Sequence, residues 1–455
     1  MSTLRYRPCV LVLIITLTGL SVRAFGQSSA SNKTEVLTLE QAIALAMRDN
    51  PQLKNAELDV NRSSEEFAAS RTRRLPNFNF QVLGTQQLTP IDFTFERGTF
   101  GTYPGIGPIP GDTTKITTPL KPTAIFTTRI SQPLSQLHSI NLNLKQLELK
   151  GELAREELRA KRLKMTKDVK RAYFGLLQTQ SALEASLENV KLYKELERLT
   201  GDYLAQRVVL RTENLDVKAH LAQAEYDATK LEDQIGVQKQ QLNLLLGRDV
   251  LTDFSVSAVA DIEGFEADLV AARVRALRQR PELREARLKV EQAERDRRIK
   301  KAEFIPEVSA TFQHFATANF SSFIPKSYMN IGVSVSWEVF DWGRKKHELA
   351  EKELATTQAK NSVRDAESSV LIDVNEKFNA LRQARQMLSV AQLGRESATE
   401  NVRVLTNRYK VQMSLLKDVL QAQAQLEQAN NQGRQALLSF WTAKAEFENA
   451  IGEDK

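Results

Sequence analysis

The chain has 455 residues, with 63 Lys and Arg against 56 Asp and Glu, one Cys, and 26% charged residues. Residues 1–26 hold Arg5, Arg7 and Arg23 and no acid, so the remainder carries 60 basic against 56 acidic side chains, a formal charge of +4. That balance, without a basic block interleaved with aromatics, excludes a nucleic-acid surface, and no later run of 18 apolar residues exists to make a transmembrane helix.

The chain opens on a secretion signal, expected over 1–26. Arg5 and Arg7 form a basic start, Val10 to Leu20 is an apolar run too short to span a bilayer, and Ala24 and Gly26 suit a small-residue cleavage site. Cys9 lies upstream of the apolar run and leaves with it, so the mature chain offers no disulfide and no thiolate ligand.

The mature sequence is written twice, expected as a first repeat over 27–250 and a second over 251–455. At an offset of 230, Leu39, Ala42 and Ala46 fall on Leu269, Ala272 and Ala276, and Pro51, Leu53 and Pro76 on Pro281, Leu283 and Pro306. At an offset of 205, Val169 meets Val374, Tyr173 meets Phe378, Leu176 meets Leu381, and Gly247 meets Gly452.

In the first half a helix is predicted over 51–74, with Pro51 in its first turn. A strand comes next over about 77–88, with Phe78, Phe80 and Val82 on one face and Asn77, Asn79 and Gln81 on the other. Residues 90–122, rich in Gly and Pro, are expected as a long structureless tip. A second strand over about 123–134 sets Ala124, Phe126 and Ile130 against Thr127, Arg129 and Ser131. A proline-free stretch over 138–206 is predicted as one helix about 100 Å long. Val169, Tyr173, Leu176, Leu183 and Val190 give it a heptad seam. After a turn at 208–215, a helix over 216–246 ends at Gly247.

The second half repeats the plan, with helices over 281–304, 343–408 and 418–451, the last ended by Gly452. Leu371, Val374, Phe378, Leu381 and Leu388 supply the second seam. Its strands, about 307–316 and 328–340, set Val308, Ala310 and Phe312, then Met329, Ile331, Val333, Val335, Trp337 and Val339, against polar partners.

The four strands are long enough to cross a bilayer as tilted strands, which takes about 9–11 residues, and aromatics lie near their ends. A soluble antiparallel sheet has the same alternation; the secretion signal and the missing cysteines favour the membrane. Four strands cannot close a membrane barrel, which starts at about eight. Closure needs copies pairing head to tail, and two, three or four copies give eight, twelve or sixteen strands.

The pattern resembles the TolC-type outer-membrane efflux proteins over nearly all of the mature chain. Asn50-Pro51-Gln52-Leu53 and Arg280-Pro281-Glu282-Leu283 look like the family's repeated helix start, and Leu75-Pro76 and Ile305-Pro306 like its helix-to-strand step. Ser131-Gln132-Pro133-Leu134 and Phe340-Asp341-Trp342-Gly343-Arg344 look like its two strand-to-helix corners.

The resemblance implies a mainly α fold with membrane β. Three chains would form a 12-stranded outer-membrane β-barrel continuous with a periplasmic α-helical barrel of antiparallel coiled-coil helices. It implies the exit duct of a tripartite efflux or secretion system. Its partners would be two further copies, a periplasmic adaptor (membrane fusion) protein, an inner-membrane pump or secretion ATPase, and outer-membrane lipid; no cofactor is implied.

By the same resemblance the periplasmic constriction falls on Tyr409, Asp418, Asp216 and Gln421. Tyr409 and Asp418 match the family's tyrosine and first aspartate, and Asp216 is the equivalent place in the first half. Gln421 stands where a second aspartate is found and Ser414 where an arginine is found, so the latch differs here. Three Asp418 carboxylates would repel anions and favour cations; an aspartate there also simply suits a helix N-terminus. Adaptor docking would fall on Val209, Leu210, Arg211 and Thr212, and on Val411, Gln412, Met413, Ser414 and Leu415, with Leu210 in place of the family's glycine.

Catalysis is not expected. His138, His220, His314 and His347 have no metal-ligand spacing, and no phosphate loop or nucleophile motif is present. A soluble periplasmic coiled-coil scaffold is the other reading, sharing the signal and long helices but having no use for four strands of membrane length.

Overall fold

The structure, a computed structural model, describes residues 35–117, 120–207, 210–257, 268–319, 325–410, 413–414 and 416–453. The expected signal at 1–26 lies outside the described residues.

The first half runs β1 (Glu35–Leu37), α1 (Leu39–Asp49), α2 (Pro51–Arg71), β2 (Asn77–Gln86), β3 (Asp92–Phe95), β4 (Thr102–Tyr103), β5 (Gly107–Pro108), β6 (Thr114–Thr117), β7 (Pro122–Pro133), α3 (Gln136–Ala205) and α4 (Arg211–Leu246). The second runs β8 (Phe254–Val256), α5 (Leu269–Gln279), α6 (Pro281–Ala302), β9 (Glu307–Ala318), β10 (Ser327–Ser336), α7 (Arg344–Lys410) and α8 (Leu416–Ile451).

Three expectations change. The tip at 90–122 is not structureless: β3 pairs with β6 and β4 with β5, both antiparallel. Cross-strand contacts explain it, since Lys115 Nζ lies 2.7 Å from the Asp92 carboxylate and Thr117 Oγ1 donates to it at 2.7 Å. The helix expected from 216 begins at Arg211, held there by Asn214, whose side-chain amide donates to Thr200 Oγ1 of α3 at 3.2 Å. The strand expected to reach 340 stops at Ser336, because its partner Glu307 is the first residue of β9 and nothing remains to pair with.

The two long helices are 70 and 67 residues. Each lies beside two shorter ones placed in line. Arg162 and Lys150 of α3 reach Glu57 and Glu66 of α2, while Lys194 of α3 and Lys218 of α4 pair with Glu225 and Glu197 across α3 and α4. Likewise α7 meets α6 through Lys360–Glu294 and α8 through Lys377–Glu446. Side by side, the helices form four staves in the order α2 with α4, α3, α6 with α8, then α7.

Where the in-line helices meet, the described residues also form their two largest buried clusters. Thr38 and Gln41 make a reciprocal capping box on α1. Asn50 caps α2 by accepting from Gln52 N at 2.8 Å. Tyr173, Phe174, Leu176, Leu242, Leu246 and Phe254 are fully or almost fully buried in one cluster; Val374, Leu381, Phe440 and Phe447 are buried in its counterpart. Each such side chain contributes about 1.5–3 kcal/mol by leaving water. In the first cluster β1 lies parallel to β8, and the Tyr173 hydroxyl sits 2.9 Å from the carbonyls of Leu37 and Ser257. Burial pushes the Tyr173 phenol above its ordinary pKa.

The main sheet has the order β10-β9-β7-β2, antiparallel throughout. Because β2, β7, β9 and β10 adjoin α2, α3, α6 and α7 in sequence, the strand order reproduces the stave order.

Candidate functional site

No group of three or more His, Cys, Asp or Glu among the described residues is placed to hold a metal, and no helix among them is long and apolar enough to cross a membrane. The places that can serve transport are the sheet at one end of the staves and the helical turns at the other.

Residues paired directly across neighbouring strands share one face of a sheet. Phe78 pairs with Ile130, Ile130 with Phe312, and Phe312 with Ile331. Val82, Phe126 and Ala316 make a second apolar row that ends on Ser327, Ala310 with Val333 a third with Gln132 on its other side, and Val308 with Val335 a fourth. His314 interrupts this face between Thr128 and Met329, with its Nε2 2.9 Å from Ser327 Oγ. On the opposite face Asn79, Arg129, Gln313 and Asn330 stand in one row. With the Gln313 amide turned so that its oxygen faces Arg129, that oxygen accepts from Arg129 Nε and Nη2, each at 2.8 Å.

Phe78, Phe80 and Val82 on β2, and Met329, Ile331, Val333 and Val335 on β10, are exposed, with none of the described residues covering them. Both β2 and β10 are edges, each with one side of its backbone unpaired. Such edges are templates for further pairing. The alternation of direction leaves β2 and β10 antiparallel, so β2 of one copy can pair with β10 of the next in the same antiparallel sense.

At the far end, α3 closes into Arg207 in a left-handed conformation (φ +59°), and Leu210, 69% exposed, precedes α4 in extended backbone. Arg211 and Thr212 are exposed in the first turn of α4, and Asp216 is exposed further along it. In the other turn Met413, 79% exposed, donates its N–H to Arg408 O at 2.8 Å, and Ser414 Oγ donates to Leu405 O at 3.2 Å. Asp418 is half-buried in the first turn of α8, and Gln421 is exposed one turn on. Tyr409 is the penultimate residue of α7. Val209, Val411, Gln412 and Leu415 lie outside the described residues.

Nearer the staves, Glu188, Asn189 and Leu192 of α3 line a groove of about 440 Å³ with Val402 of α7 and Gln423 and Glu427 of α8. Asp418, one turn beyond Gln423, is therefore placed at the end of a stave packed on α3. Asp216 belongs to the stave on the other side of α3.

Two features were missed from sequence. The first is the tie between each helix bend and the end of the in-line helix: Asn50, between α1 and α2, donates its side-chain N–H to Leu245 O of α4 at 2.8 Å, and Arg280, between α5 and α6, donates to Ala450 O of α8 at 3.2 Å. Arg280 also pairs with Asp373, 2.5 Å away, and with Glu282. Burial works against its charge, yet these two carboxylates hold its pKa above the ordinary value. The second is a collar of cations just below the sheet, carried in the sequence by the runs Arg71-Thr72-Arg73-Arg74, Arg297-Arg298-Ile299-Lys300-Lys301 and Arg344-Lys345-Lys346-His347.

The chain matches the model of the family described as outer membrane efflux protein, over residues 42–248 and 272–453. No curated protein matches it at the level taken as significant. Among solved structures it is similar to the CmeC outer membrane channel of Campylobacter jejuni, at 16% identity and a TM-score of 0.75, covering 97% of this chain and 93% of that one. A membrane protein from Pseudomonas aeruginosa is similar at 15% identity and a TM-score of 0.74, covering 92% and 91%. The MtrE outer membrane channel of Neisseria gonorrhoeae, solved in an open state, is similar at 17% identity and a TM-score of 0.69, covering 91% and 89%. At such identities the likeness is one of fold.

Proposed function

The chain belongs to the outer membrane efflux protein family, and from that premise we propose how it conducts. Its place is the outer membrane, its work is efflux, and it is not an enzyme. Three copies pair β2 of one with β10 of the next and close a twelve-stranded barrel, with the Phe78–Ile130–Phe312–Ile331 face toward lipid. The staves continue each strand into a hollow periplasmic cylinder. Two copies would leave an interior filled by side chains, and the resemblance to TolC-type channels selects three.

The single observation that carries this is the shared order of strands and staves, with both sheet edges open. Each strand is thereby the extension of a stave, so closing the sheet closes the helices with it.

At the periplasmic end, Asp418 of each copy forms an acidic constriction that disfavours anions. Asp216, Gln421 and Tyr409 stand around it. A periplasmic adaptor docks on the two turns, at 209–212 and 411–415, and joins the duct to an inner-membrane pump or secretion ATPase. The two halves, 27–250 and 251–455, are repeats of one unit, in keeping with the two separate family matches. Residues 1–26 are the export signal.

Cysteine pairs scanned between β2 and β10 test the closure. Oxidation is expected to link copies into a ladder that ends at three. A ladder ending at two, or no link at any register, would contradict it.

A further inference from the structure

Just below the sheet the chain concentrates cations that it does not use. The four long strands hold one basic residue, Arg129, and one acid, Glu307. Arg73 and Arg74 end the short helical turn before β2, Arg298 and Lys301 lie in the last turns of α6, and Lys346 is in the first turn of α7. All five are exposed. Among the described residues none of the five has an ion pair.

The acids around them are already engaged. Glu338 holds Arg344 at 2.7 Å and Lys345 at 3.2 Å. Glu348 holds Lys300 at 2.7 Å and Arg344 at 3.1 Å. Glu303 holds Lys300 at 2.8 Å. Asp341 accepts from the backbone N–H of Gly343 at 3.1 Å and of Lys345 at 2.9 Å. The Lys346 position is also electrostatically wrong for its own helix, since a cation at an N-terminus opposes the macrodipole.

Aromatic side chains mark the same level. Trp337, Phe340 and Trp342 lie beyond β10 in irregular backbone and are 57%, 70% and 88% exposed. The rings of Phe340 and Trp342 meet edge to face at 4.8 Å. Trp342 sits at φ +58°, a conformation a bulky residue rarely adopts. Tryptophans left uncovered at the end of a membrane sheet belong at the headgroup level.

We propose that this collar binds the phosphate headgroups of anionic phospholipids in the periplasmic leaflet. Cations next to a membrane surface attract anionic lipid, and here the aromatics set them at headgroup depth. The inference rests on the proposed twelve-stranded channel. In the closed ring, β2 beside the next copy's β10 also brings Arg73 and Arg74 of one copy near Lys346 of the next.

Wild type and the variant Arg73→Gln/Arg74→Gln/Lys346→Gln are placed in nanodiscs of mixed phosphatidylglycerol and phosphatidylcholine. The lipid retained after detergent release is then counted by native mass spectrometry. Wild type is expected to retain phosphatidylglycerol preferentially, the triple variant to lose about tenfold or more of that preference, and Arg73→Lys/Arg74→Lys to keep it. Equal retention of both lipids by wild type, or a preference that survives in the triple variant, would overturn the collar and leave the channel standing. Failure of wild type to enter the discs would overturn both.

Discussion

Gly247 turns left-handed, at φ +71°, directly over the main-chain carbonyl of Asp49, so that a Cβ at position 247 would stand 2.4 Å from that oxygen. The C-terminus of α4 and the bend between α1 and α2 thus occupy one place. Asn50, next in the chain, donates to Leu245 O and locks the two together. Gly452 repeats the arrangement at φ +79°, but its nearest neighbour, the carbonyl carbon of Gln279, is 3.2 Å from a built Cβ.

Gly247→Ala is therefore expected to cost about 2–3 kcal/mol, combining left-handed strain with a clash against backbone that cannot swing aside. Gly452→Ala keeps the strain and loses most of the clash, so it costs less. Thermal unfolding of the detergent-extracted protein measures both, and equal losses would show that the contact with Asp49 is not what matters.

Arg280 does for the second bend what Asn50 does for the first. Arg280→Ala is expected to cost about 2–3 kcal/mol, because it removes the donor to Ala450 O and leaves Asp373 without its partner. Arg280→Asn is expected to lose clearly less, since an amide there can donate to the carbonyl as Asn50 does. Denaturant midpoints of the two variants decide it; an asparagine variant no better than alanine would show that the ion pair carries the site.

Much of this architecture was legible because it is periodic. The heptad positions Val169, Tyr173, Leu176 and Val374 are buried, and the alternation of Phe78 to Val82 and of Met329 to Val335 sorts the faces of the sheet. What was not legible is short or long-range. β1 and β8 pair over three residues each, too few for a period, with most of the first half between them. The hairpins at 92–117 rest on cross-strand contacts such as Asp92 with Lys115 that composition does not reveal. The start of α4 at Arg211 depends on Asn214 reaching Thr200 on another helix. For the proposed gate, the resemblance supplied the positions, and the proposed constriction takes one Asp418 from each of three copies.

The sheet faces give a direct test of orientation. Ile331→Arg puts a charge on the apolar face, at a cost of about 2–4 kcal/mol near the bilayer midplane. Asn330→Arg, one residue away on the other face, is expected to insert normally. Fractionation and heat stability of the assembled protein check this pair; equal tolerance would contradict the assignment of the lipid face.

Stability should also respond to pH at Glu285 of α6. Burial, and then the neighbouring Glu157, Glu282 and Glu156, raise its pKa despite Lys289. A carboxyl whose folded pKa lies above its unfolded one favours folding below the unfolded pKa, and that contribution is lost as pH rises through the folded value. Glu285→Gln is thus expected to raise the melting temperature slightly at neutral pH and to have no effect in acid. A gain that persists in acid would assign it to packing.

Single-channel conductance in a planar bilayer, comparing wild type with Asp418→Ala, bears most directly on the proposed duct. Small cation-selective currents are expected from wild type, growing or losing selectivity when the carboxylate is removed. Currents unchanged by the substitution would leave the channel but move its constriction elsewhere. No conductance from wild type, with the protein recovered in soluble form, would contradict the barrel itself.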